Sequence, residues 1–190
     1  MDNSVFATDP GRPHLGGYIP DGDEYTKEED IKIHLLTKLQ PQSVLDIGCG
    51  DGSSTVWWQG KVDVIQGVEG FERGAIATRA RGIPCDIHDY TWGNLYSCGQ
   101  FDLGWCVEVV EHIEDRYAPR LLDTFFHCKT LAMTHALPGQ PGWHHVNCKP
   151  QQYWIDVLRP FFTLNPDLTH ECQDLSTGHG RTMLVFNRNA

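Results

Sequence analysis

Two short stretches of this chain hold residue types whose spacing can do chemistry. Residues 44–55 read VLDIGCGDGSST, with Gly48, Gly50 and Gly52 at alternate positions behind Asp46. A glycine turn lets the backbone approach a ligand that any Cβ would push away. Residues 106–115 read CVEVVEHIED, which puts Glu108, Glu111 and His112 at i, i+3 and i+4. One helical turn would bring those side chains to one side. Two carboxylates and an imidazole can then hold a divalent cation. The same groups can instead act as acid–base or substrate contacts, since imidazole titrates near neutrality, or serve only the fold. A second source of histidine is Trp143-His144-His145-Val146-Asn147, where His145 has the closer spacing to Pro150 and is preferred.

The elements that must position these groups follow from patterning. Val44, Leu45 and Ile47 predict a buried strand over 43–47, and Ser53, Ser54 and Thr55 offer N-cap hydroxyls to a helix carrying Trp57 and Trp58. A strand feeding a glycine turn and a helix start is where open α/β sheets bind nucleotide-like ligands. Ahead of it, Thr26 and Glu29 have capping-box spacing, and Ile31, Ile33, Leu35, Leu36 and Leu39 give the next helix an apolar face. Further strands are predicted over 62–68, 83–86, 101–106, 129–134, 161–164 and 182–186, with helices over 72–81, 118–127 and 150–158. This alternation predicts an α/β fold: a doubly wound, mostly parallel seven-stranded sheet with an antiparallel edge strand. The stretch between the last two strands reads as helix-free. The whole chain, 1–190, reads as one domain: a Pro/Gly-rich segment 1–25 as a candidate lid, and a catalytic core over 26–190. Tyr18, Trp143 and Trp154 are the aromatics that could cover an acceptor.

D-x-G-x-G-x-G differs from the dinucleotide fingerprint G-x-G-x-x-G. It resembles the first motif of class I S-adenosylmethionine-dependent methyltransferases, and the resemblance extends over residues 30–187. It implies a Rossmann-like domain with S-adenosyl-L-methionine as cofactor. Asp46, Gly48, Cys49, Gly50 and Gly52 would cradle the amino-acid half. Glu69 and Gly70, ending the second strand, would meet the ribose. Asp86 would contact the adenine amino group, Ile87 would pack on the ring, and Cys106 would lie beside the methionine portion.

The E-x-x-E-H segment is similar to that of the quinone-biosynthesis O-methyltransferases and the small-RNA 3′-end 2′-O-methyltransferases. In the latter, two Glu and two His hold a metal over the acceptor hydroxyl. This resemblance implies Glu108, Glu111, His112 and His145 as ligands of a divalent metal ion such as Mg2+, with Glu111, His112 and His145 as the catalytic set. The segments HLGGYIPDGDEYT and HHVNCKPQQYW resemble bacterial or phage methyltransferases associated with surface-glycan assembly. They imply O-methylation of a small-molecule or glycan-type acceptor, such as a sugar. The alternatives are an RNA 2′-O-methyltransferase and a non-catalytic cofactor-binding module.

Bulk properties narrow the class. Hydrophobic content of 40% and 21% charged residues are ordinary for a globular domain. A net charge of −10 argues against gripping long nucleic acid through its phosphates. No apolar run is long enough to predict a membrane span, and the N-terminus lacks the pattern of a signal peptide. The cysteines number seven and form no C-x-x-C pair, so a reducing cytoplasm is expected rather than a disulfide framework. Nothing in the sequence fixes an oligomeric state.

Overall fold

The computed structural model describes residues 6–9, 11–20 and 22–189. Of the candidate lid segment, residues 1–5, Pro10 and Asp21 therefore lie outside the described residues. The strands are β1 (Ser43–Ile47), β2 (Val64–Glu69), β3 (Cys85–Ile87), β4 (Phe101–Cys106), β5 (Cys128–Met133), β6 (Phe162–Leu164) and β7 (Leu184–Arg188). The helices are α1 (Glu24–Lys27), α2 (Glu29–Leu39), α3 (Glu72–Ala80), α4 (Ala118–Phe125), α5 (Gln151–Leu158) and α6 (Pro166–Leu175).

The strands form one seven-stranded sheet in the order β3-β2-β1-β4-β5-β7-β6. β1 to β5 pair in parallel. β7 runs antiparallel to both β5 and β6, so the antiparallel strand sits one place in and β6 forms the edge. Strand residues alternate between two faces. Leu45, Ile47, Leu131, Met133, Leu184 and Phe186 join one apolar cluster with Phe125 and Trp154. Val44, Ala132 and Val185 join the other with Ile31, Leu35, Trp58 and Leu168. Burial on both faces explains why the strands read as near-continuous apolar runs. Trp154, a candidate lid aromatic, belongs to this core at 1% exposure. Among the described residues no helix is long and apolar enough to cross a membrane.

Three local expectations need correction. The stretch between β6 and β7 holds α6, capped by Asn165, whose side chain accepts the Leu168 N–H at 3.1 Å, with Pro166 opening the first turn. The β1–β2 connection contains a 3-10 turn, Thr55–Trp58, in place of a longer helix. Its Trp58 is held edge-on to Trp105 at 6.1 Å, a tertiary contact that fixes a shorter element. The Thr26–Glu29 capping box does not form: α1 is capped by Asp23, whose carboxylate accepts the Tyr25 N–H at 2.9 Å, and Glu28 interrupts at φ 43.

Glu28 is the buried tie between the N-terminal helices and the β6–β7 connection. Its Oε1 accepts the Ser176 hydroxyl at 2.9 Å and the Gly180 N–H at 2.6 Å. Removing a buried carboxylate that satisfies two donors leaves both unpaired. Glu28→Ala is therefore expected to cost about 3 kcal/mol, read as a lower denaturant midpoint with an unchanged slope. A midpoint equal to wild type would refute this role.

Candidate active site

The sheet changes winding direction between β1 and β4, which is where open α/β sheets place their ligands. There, beyond the strand ends, lies a cavity of about 250 Å3. One wall, the donor side of the sequence expectation, is the glycine turn. Gly48, Gly50 and Gly52 have φ of 73°, 57° and 76°, the left-handed region that favours glycine. Gly50 is also crowded: a Cβ there would sit 3.1 Å from the ring of Tyr18. Its N–H donates to Glu69 Oε2 at 2.8 Å, and Phe71 N–H donates to Glu69 Oε1 at 2.8 Å. Burial pushes the Glu69 carboxyl up to about 7, against the pull of those backbone donors. Asp46, raised to about 6 by burial, accepts the Thr55 hydroxyl at 2.7 Å and so ties the strand end to the following turn.

Asp46, Gly48, Cys49, Gly50, Glu69 and Gly70 line this cavity. Gly52 does not: its N–H closes the turn on the Cys49 carbonyl at 2.9 Å. Cys49 directs its thiol away, to Cys85 Sγ at 3.5 Å. Asp86 and Ile87 are not among the residues that line the cavity. β3 runs on to Ile87, so Asp86 is exposed and accepts the Tyr96 hydroxyl at 2.8 Å, while Ile87 is 45% exposed. His88, Asp89 and Tyr90 line the cavity instead. Cys106 lies beneath it, fully buried, with its carbonyl taking the Thr134 N–H at 3.0 Å; Val107 and Glu108 form the surface.

Another wall, the acceptor side of the sequence expectation, is built on a reversal after β4. Glu108 takes φ 55, and Val110–His112 forms a 3-10 turn, so the predicted single helical turn does not exist. The consequence is a split of the expected four ligands. Potential ligand atoms of Glu111, His112 and His145 lie within 4.8 Å of one another. Glu108 turns aside: Thr134 Oγ1 accepts its N–H at 2.8 Å and donates to its Oε1 at 2.9 Å, and His179 Nδ1 lies 3.2 Å from its Oε2. The His145 loop is pinned because Val146 and Asn147 N–H groups both donate to the Glu111 carbonyl at 2.9 Å.

Charge in this wall is set by burial. Both Glu111 carboxylate oxygens are buried without a hydrogen-bond partner. Burial first, and the Glu108 charge second, push the Glu111 carboxyl well above the usual range. Burial and the neighbouring His145 hold His112 down at about 4, hence neutral at pH 7. His145 Nδ1 lies 3.1 Å from the Gln140 carbonyl, so that nitrogen carries the N–H of this hydrogen bond. His179 is shifted the other way, raised chiefly by Glu108.

Residues 7–9 and 11–18 flank the cavity as a short hairpin, with Ala7 N–H donating to Tyr18 O at 2.9 Å and Gly17 N–H to Ala7 O at 2.7 Å. The hairpin touches both walls. His14 meets Asp89 at 3.0 Å on the donor side, and Trp143 Nε1 donates to the Pro13 carbonyl at 2.9 Å on the acceptor side. His14, His88, Asp89 and His179 were not singled out by spacing; only Gly-rich composition and Tyr18 pointed to the hairpin, and His179 had no local signal at all. No Lys or Arg is among the described residues lining the cavity, whereas Asp23, Asp46, Asp51, Glu69, Asp89 and Glu108 all are.

No family model matches the chain, and no curated protein matches it by sequence. Solved structures do. The sugar N-methyltransferase KedS8 from Streptoalloteichus sp ATCC 53650 matches with a TM-score of 0.68 at 13% identity, over 88% of this chain and 88% of that one. The fold is that of the class I methyltransferases. Two others of this methyltransferase fold are N-methyltransferase NodS from Bradyrhizobium japonicum WM9 and the methyltransferase domain of bacterial-CtHen1-C. NodS, in complex with S-adenosyl-L-homocysteine, matches with a TM-score of 0.61 at 16% identity, over 88% of this chain and 89% of that one. The CtHen1 domain matches with a TM-score of 0.63 at 13% identity, over 87% of this chain and 100% of that one. Identities this low carry the methyltransferase fold and not the substrate.

Proposed function

We propose that this chain is an S-adenosylmethionine-dependent methyltransferase that methylates a hydroxyl of a small or glycan-type metabolite, deprotonated at Glu111, His112 and His145. The observation that carries this reading is that one cavity joins the glycine turn and Glu69 to the two histidines of that cluster.

The residues fit the donor. Each Glu69 oxygen accepts one backbone N–H and keeps a lone pair for a ribose hydroxyl. They also fit a divalent cation, because Glu111 offers two buried oxygens that nothing else satisfies, beside two histidines. Glu111, His112 and His145 would hold the ion, and Glu108 would not. When bound, the sulfonium supplies an activated methyl and the cation a lower hydroxyl pKa. The chain's own residues do the rest. Glu69 and the glycine turn fix the donor and the hairpin excludes water, while His145, its Nδ1–H given to the Gln140 carbonyl, gives its one lone pair at Nε2 to the ion.

RNA 2′-O-methylation is the second reading, supported by the same cluster. The cavity wall weighs against it, since phosphates are met by Lys and Arg and none line it. The test is incubation with methyl-labelled cofactor and separate metabolite and RNA extracts, with chelator and with added Mg2+, Mn2+ or Zn2+. Label is expected in a base-stable ether of the neutral metabolite fraction, lost with chelator and restored by one ion. Label in RNA would select the second reading, and binding without transfer would make the chain a cofactor-binding module. Transfer indifferent to chelator would remove the metal.

A further inference from the structure

Resting on that donor reading, we infer that His179 recognises the α-carboxylate of the amino-acid end of the donor. Such a donor brings three charges: a sulfonium, an ammonium and a carboxylate. The six cavity carboxylates suit the two cations, but the carboxylate meets no Lys or Arg among the described residues lining the site. The nearest buried amine, Lys32, is spent behind the wall, donating to the Ser54 carbonyl at 2.9 Å and to Ser54 Oγ at 2.6 Å. A fully ionised ligand carboxylate left without a cationic or hydrogen-bonding partner in this acidic cavity would repel its surroundings.

His179 is the lining group placed to answer it. Its ring stands between two carboxylates on different elements. Glu108 Oε2 lies 3.2 Å from Nδ1, and Asp23 Oδ2, at the cap of α1, lies 3.9 Å from Nε2. Both favour the imidazolium. The first contact consumes Nδ1–H. The second is too long for a hydrogen bond, so Nε2–H is left for a further acceptor from the cavity that His179 lines. The ring cannot drift, because Glu108 is locked at both ends by Thr134 and the preceding Gly178–Gly180 loop is pinned by Glu28. Its position is at the amino-acid end of the glycine turn: Gly22, next to Asp23, abuts Ser53 of that turn, where a Cβ would approach Ser53 Oγ to 3.0 Å.

The test uses three ligands that differ only at this end: S-adenosylhomocysteine, its decarboxylated analogue, and 5′-methylthioadenosine, which has no amino acid. Calorimetric titration of His179→Asn is expected to show S-adenosylhomocysteine bound about 10- to 100-fold more weakly than by wild type, the loss of one charged hydrogen bond. Methylthioadenosine should bind within about twofold, which also proves the variant folded. Unchanged affinity for S-adenosylhomocysteine overturns the inference. If the variant binds neither ligand, wild type decides: it must prefer S-adenosylhomocysteine to the decarboxylated analogue by a similar factor, and equal affinity overturns the inference. A wild-type protein that binds none of the three overturns the donor reading itself.

Discussion

Glu111→Met is expected to abolish methyl transfer while making the ligand-free protein more stable. Function and folding make opposite demands on this side chain. Its carboxyl is fully buried, neither oxygen has a partner, and the Glu108 charge lies beside it. An unsatisfied buried polar group costs about 1–3 kcal/mol, so an apolar side chain of similar length should recover about that much. Activity should fall at least about 100-fold, the usual scale for losing a group that moves a proton or stabilises charge in the transition state. The signature is the combination. Wild type should gain melting temperature on titration with one divalent ion, as mass action requires of a ligand that binds only the folded state. The variant should start higher and gain nothing. A variant that retains activity, or that is less stable than ion-free wild type, would sink this account of the cluster.

Glu69→Gln should separate the donor half in the same way. Both oxygens of Glu69 face backbone donors, Gly50 N–H and Phe71 N–H, each at 2.8 Å. An amide has only one acceptor oxygen, so either orientation sets an NH2 against an N–H. The glycine turn then loses its anchor, and a ribose hydroxyl loses its acceptor. Affinity for S-adenosylhomocysteine should drop at least about 100-fold in calorimetry. A pH dependence follows from the carboxyl's raised value of about 7. Ribose hydroxyls donate to the ionised form, so binding favours loss of the proton. Wild-type affinity should therefore fall as pH drops below 7, approaching tenfold per pH unit at most. The Gln variant should lack that slope. An equal slope in both proteins would assign the titration to another group.

The sequence by itself determined the sheet and the donor turn. Both are local: near-continuous apolar strands set the two buried faces, and φ of 73°, 57° and 76° at alternate positions strongly favours glycine. Where it misled, long-range packing overrode local spacing. Glu108, Glu111 and His112 have helical spacing, yet φ 55 at Glu108 replaces the helical turn, and the Thr134 hydroxyl and His179 engage the two Glu108 oxygens, so it is Glu111 and His112 that group with His145. β3 continues one residue further than its pattern showed, through Ile87, and His88 and Asp89 beyond it line the cavity. α6 went unread because its apolar face is short and becomes meaningful only against Ile31 and Leu35 of α2.

Tertiary structure alone decided what stands around the donor turn. His179 reaches Glu108 and Asp23 from the far end of the chain, and His14 reaches Asp89 from its beginning. Such pairs leave no periodic trace, because their spacing in sequence is set by everything folded between them. The glycines state where a ligand comes close. Which charges meet it is a property of the closed cavity, where strand ends, hairpin and β6–β7 connection converge.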